Sequence, residues 1–375
     1  MIDPDSEQFL AHVRLACMPG IGSRLRKMLL QKFGGPQGVF AASPAELRQV
    51  GRMGKQLTDL IAQEAGIPAA RAVVAQCQRD AIGILLEGDE GYPGLLARIP
   101  DPPHLLFVRG SLLPCDALAV AVVGARHATA YGLRVAEQLG EGLSRAGYTV
   151  VSGLARGIDA AAHKGALAAG GRTIAVLGSG VLNIYPPEHD HLAAQIAAHG
   201  AVLSEAPPLL PPFPGAFPQR NRIVAGLSLG TVVVQASDRS GALITARLAL
   251  EQGREVFAVP GPIDCRLSQG CHDLIRDGAT LVGRVDDILE ELGPLFETAV
   301  SSAGRSVQHP AELKLDETER RVLDGVGPAG SSTPTNIDDV VAACGLETSR
   351  VLATLSVLEM RRLVRRVPGN RVQRT

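Results

Sequence analysis

A chain of 375 residues is too long for one ordinary domain and long enough to bury a large core. Hydrophobic residues at 46% and charged residues at 20% exclude a disordered chain, and aromatics at 3% with no Trp leave Leu, Val, Ile and Ala to build the core. The 37 basic and 38 acidic side chains nearly cancel, so any site for a polyanion must be a local gathering of cations.

The six cysteines, Cys17, Cys77, Cys115, Cys265, Cys271 and Cys344, are scattered, with no CxxC pair and no His-rich ligand spacing. That argues against a disulfide framework and against a metal site. The opening MIDPDSEQFL lacks the basic region and apolar run of a signal peptide. No apolar stretch reaches the roughly 18 residues that would span a bilayer. A cytoplasmic protein is the expectation.

In chain order, residues 1–85 read as a helical domain of the SAM-like or helix-hairpin-helix kind. Pro19-Gly20-Ile21-Gly22 and Gly51-Arg52-Met53-Gly54 each set a hydrophobic residue between glycines at a sharp joint between helical patterns. Hairpin glycines can bring backbone N–H groups close to a phosphate. The same pair serves equally well as a helical interaction module. A Pro-rich connector follows from Gly91 to Pro114. It carries the apolar run Leu105-Leu106-Phe107-Val108, read as one edge strand.

From Ala117 the pattern changes. Short β-branched runs at Ala119–Val123, Thr149–Val151, Thr173–Leu177, Ala201–Leu203, Thr231–Gln235, Glu255–Val259 and Ala279–Val282 alternate with helix-length segments. Continuous apolar strands imply a parallel sheet covered on both faces. With right-handed crossovers this is an α/β, Rossmann-like doubly wound fold over residues 86–298. Residues 299–311 read as a linker. Residues 312–375 read as three helices and a hairpin, the pattern of a winged helix.

A doubly wound sheet binds its ligand at the carboxyl ends of its strands. The first strand ends at Gly124-Ala125-Arg126, which is not GxGxxG, so a nicotinamide site is disfavoured. The second ends at Ser152-Gly153, ahead of a helix that carries Lys164; Asp159 and His163 read as a helix cap and a core residue. Arg220-Asn221-Arg222 offers planar, permanently charged forks for phosphate oxygens. Ser240-Gly241 with Thr245 is a further hydroxyl-bearing turn at a helix start, suited to an anion. Arg126, Lys164, Arg220 and Arg222 converging on one edge make a groove for a polyanion more than a pocket for a small nucleotide. No Ser or Cys stands at motif spacing from a base, so no enzyme and no cofactor is expected.

The chain resembles the DNA-processing protein A (DprA/Smf) family. The ordered segments AVVGARHATAYG, VVSGLARGIDAAAHKGAL, TIAVLGSGVLNIYPPEHDHL, LSEAP, FPQRNRIVAGLS, SGALITARLALEQGREVFAVPG and SQGCHDLIRDGATLV carry the resemblance over about residues 92 to 285. It implies a cytoplasmic protein that binds and protects single-stranded DNA and helps to load the RecA recombinase during natural transformation or recombination. It carries DNA contacts over to Arg126, Lys164, Arg220, Arg222 and Gly241. It also implies a homodimer, with Ile275 and Leu281 at the seam. Ala125 and His189 depart from the residues common in the family. Tyr131, Tyr185, Phe213 and Phe217 are the aromatics on offer for base stacking.

In the winged helix, the third helix carries only Arg350 before Glu359, while Arg361, Arg362, Arg365, Arg366, Arg371 and Arg374 follow it. Auxiliary phosphate contact by the wing, or protein docking, is expected rather than major-groove reading. Two rivals stand beside the DNA reading. One is a nucleotide phosphoribohydrolase-like enzyme, disfavoured because no acid stands in the Ser240–Ala246 turn. The other is an interaction scaffold without DNA.

Overall fold

The computed structural model describes residues 6–51, 53–63, 66–292, 299–300, 306–307, 315–326, 334–360 and 363–374. It opens with six helices: α1 (Glu7–Cys17), α2 (Ser23–Phe33), α3 (Pro36–Ala41), α4 (Pro44–Arg48), α5 (Lys55–Ala62) and α6 (Gly66–Arg79). Both glycine hairpins form. Gly20 and Gly51 take φ of +84° and +58°, open to glycine without steric cost, and Gly22 and Gly54 are the N-caps of α2 and α5. Ile21 and Met53 are buried with Leu15, Leu29, Leu47 and Ile61 in one small core.

The next segment holds β1 (Ile82–Leu86), α7 (Gly94–Ala97), β2 (Leu105–Gly110), β3 (Ala119–Val123), α8 (Ala130–Arg145), β4 (Thr149–Ser152), α9 (Ile158–Ala168), β5 (Thr173–Leu177), α10 (Asp190–His199) and β6 (Ala201–Ser204). After it come α11 (Ala216–Gly226), β7 (Gly230–Val233), α12 (Gly241–Glu251), β8 (Glu255–Ala258), α13 (Gln269–Arg276), β9 (Thr280–Leu281) and α14 (Val285–Leu292). The strands form one sheet in the order β1-β2-β6-β5-β4-β3-β7-β8-β9. All neighbours from β6 through to β9 are parallel, while β2 pairs antiparallel with both β1 and β6.

The period-two rule explains the layers. In β3, Ala119, Ala121 and Val123 enter a core shared with Ile223, Val224, Ala242 and Ala246 of α11 and α12. Val120 and Val122 point the other way, onto Ala136 and Leu139 of α8 and Ala162 of α9. Every residue of β3 is buried, as a strand covered on both faces requires.

Two expectations need correction. The run at Leu105 is an interior strand, and β1, which the sequence reading did not anticipate, is the edge beyond it. β1 also crosses the expected boundary between residues 85 and 86. Furthermore, Phe9, Val13 and Ala16 of α1 and Ala70 and Cys77 of α6 share a core with Leu105, Phe107 and Ile196. These two helices therefore cover the sheet, and Leu15 of α1 also enters the N-terminal core.

β10 (Ala299–Val300) and β11 (Ser306–Val307) form a short antiparallel pair within the expected linker; the rest of that linker lies outside the described residues. Then α15 (Glu317–Val326), β12 (Thr335–Asn336), α16 (Ile337–Cys344), α17 (Thr348–Met360), β13 (Val364–Val367) and β14 (Arg371–Arg374) build a winged helix. Its sheet order is β12-β14-β13, over a core that includes Val322, Val340, Leu355 and Val372. Arg361 and Arg362 lie outside the described residues. Among the described residues no single helix is long and apolar enough to cross a membrane.

Candidate nucleic-acid interface

From β3 the chain winds outward through β4, β5 and β6. It then returns to place β7 on the other side of β3 and winds outward again. Helices leave β3 and β7 in opposite directions, which opens a crevice at their carboxyl ends. An open cleft of about 720 Å³ lies there. Its lining includes Gly124, Arg126, Gly153, Phe217, Arg220 and Gly241.

Arg126 is exposed and stands over the Phe217 ring, 5.3 Å from its centroid. Tyr185 tilts against the same ring at 5.6 Å. One wall of the cleft is thus a guanidinium on an aromatic stack. Such a surface suits a chain that is anionic along its backbone and flat at its bases.

Arg220 lies deeper. Its Nη1 donates to the Val176 carbonyl at 2.5 Å, and its Nε has no partner. Burial pulls its guanidinium down to about 10; Asp159 opposes that shift and Arg126 adds to it. It remains a cation at neutral pH. Asp159, in the first turn of α9, accepts from the backbone N–H groups of Gly153 and Ala155 at 3.1 and 3.3 Å. Burial pushes its carboxyl up, against Arg220 and those two amides. The base of the cleft therefore holds a buried guanidinium and a buried carboxylate, each favouring the charged form of the other, with Arg126 at the mouth.

The helix starts around the cleft are less open than their sequences imply. Asp159 takes two amides ahead of α9. Thr129 accepts from Gly132 N at the start of α8, and the Gln235 side chain accepts from Thr129 N. Ser240 accepts from Ala242 N at the start of α12. The starts of α8 and α12 thus spend a donor on the chain's own side chains, while Gly157 caps α9 without one.

Of the DNA-contact candidates, Gly124, Arg126, Gly153, Arg220, Asn221, Ser240, Gly241 and Thr245 line the cleft; Ser152, Lys164 and Arg222 do not. Ser152 is fully buried and donates to the Val122 carbonyl at 2.6 Å. Lys164 is exposed on α9 away from the lining. Arg222 departs for a geometric reason. Successive helical residues turn by about 100°, so Arg220 and Arg222 project from nearly opposite sides of α11. Arg222 instead pairs with Glu205 at 2.8 Å and Asp101 at 3.3 Å. Glu205 in turn pairs with Arg26 of α2 at 3.1 Å. Arg222 thus ties the N-terminal helices to the sheet.

Other candidates have structural duties. A Cβ on Gly124 would meet Ile158 at 2.6 Å, so that glycine is required by helix packing. Thr245 bonds back to the Gly241 carbonyl, and Asn221 Nδ2 reaches the same carbonyl at 3.3 Å, joining α11 to α12. Ile275 is half-buried against the core, while Leu281 is 49% exposed on the edge strand β9. The sequence reading missed His127 and Ser237 in the lining. It also missed the electrostatic coupling of Asp159 to Arg220, for which no local spacing gives a signal.

The model of the family described as DNA recombination-mediator protein A matches residues 83–293, and that of the DprA winged helix domain matches residues 307–370. The chain is 36% identical to Protein Smf of Synechocystis sp. over 387 residues, covering 95% of this chain and 96% of that one. Protein Smf of Escherichia coli is 42% identical over 285 residues, or 76% and 75% of the two chains. The structure of DNA processing protein A from Streptococcus pneumoniae aligns with a TM-score of 0.60 at 34% identity, covering 76% of this chain and 98% of that one. DNA processing protein A from Helicobacter pylori, described for its single-stranded DNA binding mode, aligns with a TM-score of 0.51 at 30% identity, covering 58% and 97%.

Proposed function

The chain belongs to the DNA recombination-mediator protein A family, and from that premise we propose that it binds single-stranded DNA in the cleft between β3 and β7. It shields the strand there and passes it to the RecA recombinase during natural transformation or other DNA recombination. It works in the cytoplasm as a homodimer whose seam includes Ile275 and Leu281. It carries out no covalent chemistry.

The observation that carries this reading is the pair of guanidinium groups, Arg126 and Arg220, at the switch point of the sheet beside Phe217 and Tyr185. The single-stranded DNA binding mode of the Helicobacter pylori relative supports it. The carboxylate of the cleft lining, Asp159, is committed to two amides and sits beside Arg220, an arrangement for holding a cation in place. RecA loading rests on the family resemblance.

Fluorescence anisotropy with a labelled single-stranded oligonucleotide, competed with duplex across a salt series, tests the reading. Binding should prefer the single strand. Log affinity should fall with log salt by about 0.7 per phosphate neutralised, and Arg126→Ala should weaken binding and flatten that slope. A wild type that does not bind, or an Arg126→Ala protein indistinguishable from it, would place the DNA site elsewhere.

A further inference from the structure

We infer that the path of the single strand does not end in the cleft but continues past Phe213 and Arg220 into a second groove, where the first glycine hairpin receives a backbone phosphate. The inference rests on the DNA reading of the cleft and extends it. The groove, of about 500 Å³, lies between residues 16–23 with Arg26 on one side and the β5 and β6 ends of the sheet on the other.

Three observations converge on it. The first is continuity. Phe213 and Arg220 line both the cleft and the groove, so a strand leaving one enters the other over a shared wall. Phe213 is 44% exposed there, and with Leu210, Pro19 and Ile21 it gives the groove flat apolar faces.

The second is charge. The ionisable lining residues are Arg26, Arg220, Glu205 and Cys17. Burial pushes the Cys17 thiol up to about 12, so it is neutral. Glu205 is committed to ion pairs with Arg26 and Arg222. Arg26 spends its guanidinium on Glu205 and on the Ala16 and Ile21 carbonyls, so the cation left over beside the groove is Arg220. Arg220 is 7% exposed, and its Nε has no partner.

The third is the hairpin. Gly22 caps α2 with no side-chain acceptor, so the leading amides of this 11-residue helix are not met by a cap of their own. The starts of α1, α4, α8 and α12 are each capped by a Ser or Thr side chain. Uncapped amides at a helix start favour an anion. The second hairpin supplies the control: Gly54 starts α5 in the same uncapped way but lines neither the cleft nor the groove.

The test places a carboxylate at each hairpin. No atom lies within 4 Å of a Cβ built on Gly22 or on Gly54, so Gly22→Glu and Gly54→Glu both fit sterically. Binding is measured on homothymidine oligonucleotides from about 5 to about 30 nucleotides long. Gly22→Glu should bind the long oligonucleotides about tenfold more weakly, since a charge-assisted hydrogen bond is replaced by repulsion. Its salt slope on them should be shallower by about 0.7 for each phosphate that is no longer neutralised. The shortest oligonucleotides, held in the cleft alone, should bind as they do to wild type, and Gly54→Glu should match wild type at every length. If Gly22→Glu and Gly54→Glu behave alike on long strands, or if Gly22→Glu weakens the shortest strand equally, the extended path is wrong. Arg126→Ala separates the two readings: no effect at any length overturns the cleft itself. Wild-type protein gives a second readout. Oligonucleotides carrying 5-iodouracil at successive positions should photocrosslink to residues 16–26 from one end. A groove left uncrosslinked at every position belongs to another occupant, such as an apolar peptide, and overturns the inference.

Discussion

The guanidinium of Arg220 occupies the space in which a side chain at residue 153 would begin: a Cβ on Gly153 would stand 1.8 Å from Arg220 Nη1. Gly153 is thus held to glycine by an arginine brought from another helix. Its own amide is taken by Asp159. Gly153→Ala should push the guanidinium off the Val176 carbonyl. The expected result is a stability loss of about 1–3 kcal/mol, the usual cost of overpacking a filled site. Affinity for single-stranded DNA should fall together with it. Urea unfolding and anisotropy on the same preparation check both. A Gly153→Ala protein with wild-type affinity would show that Arg220 in this position is dispensable for binding.

Arg126 and Arg222 should fail in different ways. Arg126 stands exposed at the mouth of the cleft, so Arg126→Ala should cost little stability and flatten the salt slope. Arg222 is 8% exposed and pairs with Glu205 and Asp101. Removing one partner of a buried ionic cluster leaves the remaining charge uncompensated and costs about 3–5 kcal/mol. Arg222→Ala should therefore lower the urea midpoint strongly while the salt slope at saturating folded protein stays as in wild type. A slope change of the same size in both variants would make Arg222 a DNA-binding residue after all.

What the sequence made legible follows from the range of each interaction. The strands β3 to β8 were readable because a strand buried on both faces shows as a continuous apolar run, and β3 is the plainest case. β1 was missed because Ile82-Gly83-Ile84-Leu85-Leu86 follows directly on α6, with no turn signal beyond Ala81 at φ +52°. The cleft's position was readable from topology, and Arg126 and Gly241 from their place at strand ends. The split between Arg220 and Arg222 was not. Whether a given arginine faces ligand or another domain depends on partners such as Glu205 and Arg26, which are distant in sequence. The same holds for Asp159: it read as a helix cap, but Gly157 caps α9 and Asp159 instead holds the loop amides of Gly153 and Ala155.

His163 should make the fold acid-sensitive. It is fully buried, and its Nδ1 lies 2.7 Å from Thr173 Oγ1. The Thr173 hydroxyl donates its proton to the Val150 carbonyl, so Nδ1 of His163 carries the proton and donates, leaving Nε2 bare and without a partner. Burial pulls this imidazole from 6.5 down to about 3, with His189 and Arg220 adding to the shift. Between those two values the unfolded chain binds a proton that the folded chain refuses. Stability is therefore full above about pH 6.5 and is lost as the pH falls toward 3, by an amount on the order of a few kcal/mol. His104, also pulled down to about 3 by burial, acts in the same window. His163→Asn keeps a donor for Thr173 and removes one titrating group. Urea unfolding at neutral and acidic pH should show a smaller acid loss in the variant than in wild type, the carboxylates common to both cancelling in the comparison. An equal loss in the two proteins would mean that His163 titrates freely.

Leu281 is the sharper probe of the proposed dimer. It is 49% exposed on β9, a two-residue strand that among the described residues pairs with β8 alone and forms the edge of the sheet. An exposed leucine on an unpaired edge is the kind of surface that another chain covers. Ile275 is less suitable, because it also packs against the core and its replacement would mix folding with association. Leu281→Arg should shift sedimentation from dimer to monomer and leave the unfolding midpoint close to wild type. Two linked clefts raise the effective concentration of the second contact, so binding to a strand long enough to engage both protomers should weaken more than binding to a short one. A wild type that sediments as a monomer at micromolar concentration, or a Leu281→Arg protein that remains a dimer, would remove this edge from the proposed seam and leave each cleft to act alone.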